Sequence, residues 1–209
     1  MATLDGELSP ADARRAHQRE RILSAAEQLL VVHGVERTRL RDVGEAAGVS
    51  IGTVQHYFDT RDRLVRELFD WSSDRRLAGW LSAAESARGS AWERLTALLE
   101  YSLAEPIQRR SRVWIEFCAM ARIEQLREKL GIFYEAWRQP FREAIEQGVA
   151  DGEFRPTRPI ADLVDTLVVL VDGAEVAISL GAPGTSPERL RHLLIESARA
   201  ALHVGEATR

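Results

Sequence analysis

The chain is punctuated as a string of helices. Apolar residues recur at steps of three and four over most of its length, as Ile22, Ala25, Ala26, Leu29 and Leu30 do, the period of a helix with one buried face. Strand-like alternation and hairpin dipeptides such as Asn-Gly are absent. Capping residues, glycines and prolines mark the ends. Ser9–Pro10 opens a first helix that stops at His33–Gly34. A short second helix, about Arg39–Ala47, follows Thr38 and ends at Gly48. Ser50 caps a third that runs through Phe58, and a fourth runs from Asp59/Thr60 to about Ala87. Ser90 and Glu93 form a capping box for a fifth, which ends before Pro106. The sixth carries "RVWIEFCAMARI", and the seventh runs from about Ile123 to Ala150 with a bend expected at Pro140. Loops at 151–159 and 181–187 set off an eighth helix, and Ser186–Pro187 starts a ninth that ends near Val204. The expected class is all-α with about nine helices. Residues 9–60 read as a domain of three short helices, and 61–204 as a larger domain of longer, more apolar ones.

Composition narrows the function classes. With 209 residues and 45% hydrophobic content the chain can bury a proper core. Its greasiest window, Leu163–Leu180, is interrupted by Asp165, Asp172 and Glu175, so no membrane span is expected. The first residues lack an apolar signal core, which predicts a cytoplasmic protein. A net charge of −4 argues against coating nucleic acid by bulk charge and leaves a local basic face open. Cys118 is the single cysteine; it makes no intrachain disulfide and reads as a small buried hydrophobe. No HExxH, GxSxG, phosphate loop or CxxC occurs, and the five histidines are dispersed. The expectation is therefore no enzyme, no catalytic residue, no metal and no cofactor. His192 and Glu196, four apart, are at most one metal-like pair and read better as a surface ion pair.

The stretch "AAGVSIGTVQHYFDTRDRL" (46–64) is too polar for a core helix and too regular for a loop. Two helices joined by a tight glycine-containing turn form a helix-turn-helix. In the second, Ile51, Val54 and Phe58 fall at steps of three and four, while Thr53, Gln55, His56 and Tyr57 point elsewhere. A recognition helix needs that division: one face holds it to its bundle and the other presents donors and acceptors to a groove. Gly52 keeps the leading edge slim, and Ser50 caps it. Thr38, Arg39, Arg41 and Arg61 stand at or near helix starts, where free N–H groups and guanidinium charge suit phosphate. A solvated polar face is the alternative reading of the same residues.

The segment "GVERTRLRDVGEAAGVSIGTVQHYFDTRDRLV" resembles the DNA-binding domain of the TetR family of bacterial repressors, over about residues 14–66. The resemblance lies in the "RDVGEAAGVS" helix and turn, the Gly-Thr of "SIGT", the "HYF" that ends the third helix, and a basic residue opening the fourth. It implies a DNA surface at Arg41, Ile51, Gly52, Thr53, Gln55, His56, Tyr57 and Arg61. Three positions depart from the family pattern. Ile51 stands where Lys or Arg is common, Gln55 where Tyr is usual, and Arg39 where a second Thr is usual, which moves the expected cap of the second helix to Thr38. Gln55 suits bidentate pairing with adenine and Ile51 a thymine methyl.

Small reading domains act in pairs on near-palindromic double-stranded operators, because two half-sites need two reading helices. The eighth helix offers Leu163, Leu167, Leu170, Val171, Ala174 and Ile178 as a stripe for a homodimer, and the ninth adds Leu190, Leu193, Leu194, Ala198 and Ala201. The family resemblance implies dimerisation through about 160–204; burial in the chain's own core is the alternative. The middle helices carry many aromatic rings, which pack a core or line an apolar cavity. "VWIEFCAMARIEQLREKLGIFYEAWRQPFREAIEQGVADGEF" followed by "LVDG" is similar to the C-terminal domain of the choline-responsive, BetI-like branch. That similarity implies a small-molecule effector pocket among helices four to seven, with Trp71, Trp114, Phe117, Met120, Tyr134, Trp137 and Asp172 as candidate lining. Trp faces near Asp172 or Glu175 suit a cation. The expected function is a ligand-responsive homodimeric repressor; the alternatives are a ligand-independent DNA-binding regulator or, less well supported, a helical enzyme.

Overall fold

The computed structural model describes residues 9–204, and among them are nine α-helices, one short 3-10 helix and no strand. The all-α expectation therefore holds. The chain divides into two compact units, up to Ser72 and from Ser73 onward. The division falls inside the fourth helix rather than at its head.

The N-terminal unit opens with α1 (Pro10–His33), whose first turn is capped by the Ser9 side chain accepting from Asp12 N. Its buried face carries Ile22, Leu23, Ala26 and Leu30. A 3-10 turn, η1 (Val35–Arg37), was not legible from spacing; it links α1 to α2 (Leu40–Ala46). The turn into α3 (Ile51–Phe58) is made by Gly48 at φ +65°, the left-handed conformation expected of it. α4 (Arg61–Ser86) begins with Leu64, Val65, Leu68 and Phe69 buried. Those side chains tie its first turns to the N-terminal core, each contributing roughly 1.5–3 kcal/mol by burial, and this is why the unit extends past the head of α4.

The cap of α2 departs from expectation. The N-cap is Arg39, without a side-chain hydrogen bond. Thr38 lies one residue earlier, buried, and its hydroxyl donates back to the Gly34 carbonyl at 3.0 Å. The η1 turn brings that carbonyl within reach and takes Thr38 out of capping position.

The C-terminal unit contains the rest of α4 and α5 (Ala91–Ser102), α6 (Ile107–Ala119), α7 (Glu124–Ala150), α8 (Ile160–Ser179) and α9 (Pro187–Leu202). α7 and α9 pack on α5, and α6, α7 and α9 pack on α8. The Ser90/Glu93 capping box on α5 is present. Glu153, from the loop after α7, adds two carboxylate contacts to the same end, accepting from Ala91 N at 3.0 Å and Trp92 N at 3.1 Å. α7 runs through Pro140 to Ala150. α6 begins at Ile107, directly behind Pro106, several residues before "RVW".

On α8 the expected interface stripe is mostly core. Leu163, Leu167, Val171, Ala174 and Ile178 are buried within the chain, as are Leu194 and Ala198 on α9. The large apolar residues left exposed are Val169, Leu170 and Val176 on α8, Leu180 at its C-cap and Leu193 on α9. α8 is apolar on two faces, and the second face is the one turned outward. Cys118 is exposed, against the expectation of a buried hydrophobe. No helix among the described residues is long and apolar enough to cross a membrane.

Candidate nucleic-acid interface and aromatic site

α3 is held by two side chains. Val54 and Phe58 are fully buried, whereas Ile51 is 46% exposed. Ile51 therefore belongs to the outward face and does not anchor the helix. Gly52, Gln55 and His56 are exposed beside it, and Thr53 and Tyr57 are half-buried. Ser50 Oγ accepts from Thr53 N at 3.1 Å and lies 3.0 Å from Thr53 Oγ1, so the cap also fixes the threonine hydroxyl. The His56 and Tyr57 rings meet edge-on at 5.6 Å between centroids. The outward face thus presents a methyl-rich side chain, a carboxamide and an imidazole from one rigid helix, the equipment for reading base edges.

The frame behind that face is built by arginines. Arg21 Nη2 donates to the Ala47 carbonyl at 2.9 Å, at the C-terminal end of α2. Arg61 Nε donates to the Thr38 carbonyl at 3.0 Å, its Nη2 donates to the Val35 carbonyl, and its Nη1 faces Asp62. Arg61 is thus engaged with backbone at the entrance to α2. Thr38, being buried, does not present its hydroxyl to a phosphate; Arg39 and Arg41 are exposed. Gly44 is a close-approach position that spacing alone did not mark: a Cβ there would lie 3.0 Å from the Val49 carbonyl oxygen and 3.3 Å from Val54 Cγ2. Glu67 joins α4 to α1 through Arg19 at 2.7 Å and also binds Arg63 at 2.8 Å. Burial opposes its charge, but the hydrogen bonds from Arg63 and Arg19 prevail and hold its carboxyl below the usual 4.5.

The C-terminal unit gathers rings from three helices around one guanidinium. Trp80 and Trp137 stack at 5.0 Å with 17° between their planes. Trp114 lies 6.3 Å from Trp137 and 5.5 Å from Tyr134. Arg76 Cζ stands 5.0 Å from the Trp80 ring and 5.6 Å from those of Trp114 and Trp137. Its Nη2 pairs with Glu175 Oε1, and Glu175 is fully buried. Nearby, Trp114 Nε1 donates to Asp172 Oδ1 at 3.1 Å and Tyr134 donates its hydroxyl to Asp172 Oδ2. Burial pushes both carboxyls above their usual range, against the pull of the Tyr134 and Trp114 hydrogen bonds on Asp172 and of Arg76 on Glu175. Burial, together with the bond to Asp172, pushes the Tyr134 phenol up as well.

Of the expected lining, Trp114, Tyr134, Trp137 and Asp172 come together here. Phe117 is buried further along α6 and Met120 at its C-cap. Trp71 lies in the N-terminal unit, and it is Trp80, nine residues on, that joins the cluster. Arg76 was not singled out by the sequence; its only advance signal is its position one helical turn before Trp80, where an i,i+4 pair faces the same side. A separate cavity of about 500 Å³ opens at the α8–α9 turn, lined by residues such as Gln108, Ile178 and Arg189. Among the described residues no group of three or more His, Cys, Asp and Glu is placed to hold a metal ion.

Comparison with known proteins places both halves. Residues 22–68 match the model for bacterial regulatory proteins of the tetR family, and residues 91–203 that for the C-terminal domain of BetI-type transcriptional repressors. An HTH-type transcriptional repressor KstR2 of Rhodococcus jostii is 29% identical over 185 residues, covering 85% of this chain and 87% of the relative. An uncharacterized HTH-type regulator, YfiR, of Bacillus subtilis is 28% identical over 156 residues, 73% of this chain and 75% of its own. A regulator of Saccharomonospora viridis, crystallised in complex with choline, shares the fold at a TM-score of 0.83 and 23% identity, over 91% of this chain and 100% of that one.

Proposed function

Since the chain belongs to the TetR family of DNA-binding bacterial regulators, with a BetI-type C-terminal domain, we propose that it is a homodimeric repressor released from its operator by a small molecule. It is a transcriptional regulator and not an enzyme. The observation that carries the DNA half of the proposal is the division of α3, with Val54 and Phe58 buried and Ile51, Gln55 and His56 exposed on one capped helix. In this reading Ile51, Gly52, Thr53, Gln55 and His56 enter the major groove. Arg39, Arg41 and Tyr57 meet the flanking backbone with the Ser50 helix terminus. Arg61 and Thr38 hold the frame.

A palindromic operator needs two such helices, and the exposed side of α8 supports the means of pairing. Val169, Val176 and Leu180 recur with Gly173 at steps of four, three and four, forming an apolar face that a second copy would bury. The effector half rests on the ring-and-carboxylate cluster around Arg76. That cluster is of a kind that binds organic cations, and it includes α4, the helix that also begins beside α2. A ligand that prefers one placement of α4 shifts the dimer population toward or away from the operator-binding spacing. A coupling of about 1–3 kcal/mol changes DNA affinity roughly 5–150-fold. The cytoplasm is where such a regulator would act.

The test is selection of a duplex by the purified chain, followed by binding measured against salt and against candidate effectors. A steep fall of affinity with salt, a two-fold related site and effector-dependent release support the whole reading. Salt-dependent binding that no small molecule alters would make the chain a ligand-independent regulator.

A further inference from the structure

The ring cluster of the C-terminal unit already has an occupant, and it is covalently part of the chain. Three indoles approach the Arg76 guanidinium, Glu175 pairs with it, and the arginine side chain is only 11% exposed. Faces of aromatic rings closed by a carboxylate are how proteins hold organic cations. The pairing is incomplete. Glu175 is fully buried, Arg76 meets only its Oε1, and Oε2 is buried without a hydrogen-bond partner. A buried carboxylate oxygen left unbonded is an open acceptor.

We propose that Arg76 is a resident ligand of this cage, and that the effector is an amidinium or guanidinium compound that displaces it and uses both oxygens of Glu175. The inference rests on the ligand-responsive reading above and names the chemistry of its effector.

Three considerations select that class. An anionic effector would have to draw Arg76 away from Glu175, leaving a buried carboxylate unpaired beside the second carboxylate of Asp172, which is unfavourable. A quaternary ammonium satisfies the rings but has no N–H, so it would leave both Glu175 oxygens without a donor. An amidinium presents two parallel N–H groups, the fork geometry that carboxylates bind most strongly, and its planar cation suits the faces of the stacked Trp80–Trp137 pair. The exchange conserves charge, because one monocation replaces another. The departing head group has a long flexible stem on which to reach solvent. Arg76 then acts as an internal competitor that sets the effector concentration at which the site responds.

The test uses the full chain with benzamidine as probe, read by tryptophan fluorescence and calorimetry. The expected result is saturable binding to the wild type, binding at least tenfold tighter to Arg76→Ala, and loss of binding when Glu175→Gln is introduced in either background. Tetramethylammonium and benzoate should bind Arg76→Ala at least tenfold more weakly than benzamidine does. If Arg76→Ala does not fold alone, millimolar benzamidine should restore its helical circular dichroism. The proposal is overturned if Arg76→Ala binds benzamidine no more tightly than the wild type, or if tetramethylammonium or benzoate binds as tightly. It is equally overturned if the variant stays unfolded with the probe and wild-type fluorescence does not respond. A parallel measurement on the selected duplex separates this from the regulator reading. Benzamidine binding without release of DNA keeps the cage assignment and removes its role as effector site. Release by choline without benzamidine binding does the reverse.

Discussion

Arg61 Nε donates to the carbonyl of Thr38 at 3.0 Å, joining the first residue of α4 to the entrance of α2. With the second bond to the Val35 carbonyl, the guanidinium closes the η1 turn against the head of α4. Arg61→Ala removes two charge-assisted hydrogen bonds to the carbonyls of the buried residues Val35 and Thr38 and should cost about 1.5–3 kcal/mol of stability. Lysine should not restore it, because one ammonium does not reproduce the fork. Urea unfolding of the two variants checks this. A destabilisation under about 0.3 kcal/mol, within the usual scatter of surface substitutions, would mean that the bonds form no part of the frame.

The same arginine separates frame from contact in DNA binding. Arg41 is exposed near the start of α2. Arg41→Ala should reduce the slope of log affinity against log salt by about 0.9, the loss of one phosphate contact. Arg61→Ala should weaken binding and leave that slope unchanged. Fluorescence anisotropy over a salt series reads both.

Gln55 is exposed on the outward face of α3. If it pairs with a base, Gln55→Ala should cost about 1–3 kcal/mol on the preferred duplex and much less on one altered at the contacted pair. Uniform weakening on every sequence would assign Gln55 to the backbone instead.

The carboxyl of Glu67 is held below 4.5 by Arg63 and Arg19 despite its burial. A depressed carboxyl stabilises the fold above its unfolded value and loses that contribution as pH falls through its folded value. The pairs face solvent on the arginine side, so their worth is about 0.5–1 kcal/mol. Thermal melts should show Glu67→Gln less stable than wild type at pH 7, with the gap closing below about pH 4. A gap that is constant with pH would show that the charge is not its source.

Val176→Asp and Leu180→Asp place charge on the exposed side of α8 and at its C-cap. Sedimentation should show a shift from dimer to monomer with helical content retained, and duplex affinity should fall with it. Equivalent substitution of Val171, which is fully buried, should unfold the chain rather than dissociate it.

The elements were largely legible because their ends are written in short-range chemistry. Ser9, Ser50, Ser90 and Ser186 each cap the helix that follows them. Features decided by long-range packing were harder to read. Both Trp71 and Trp80 lie on α4, yet Trp71 falls in the N-terminal unit, and it is Trp80 that stacks on Trp137 of α7. α8 is apolar on two faces, so its pattern alone does not say which one the chain keeps for itself. Arg76 reads locally as one polar residue among many on α4; its partners are Trp114, Trp137 and Glu175, distant in sequence. The Thr38 cap failed for a nearer reason: the intervening 3-10 turn has no strong signature of its own.

α2 is pinned at both ends by arginines that bind carbonyl oxygens, Arg61 at Thr38 and Arg21 at Ala47. Every backbone offers a carbonyl, whatever its side chains, so this clamp is indifferent to which residues decorate α3. On the proposed assignment of α3 to the groove, the preference for one DNA sequence over another would drift at Ile51, Gln55 and His56 without reopening the geometry that delivers them. That assignment makes the outward face of α3 an interchangeable type face set in a fixed press, and grafting those three side chains onto a relative should then carry the preference with them.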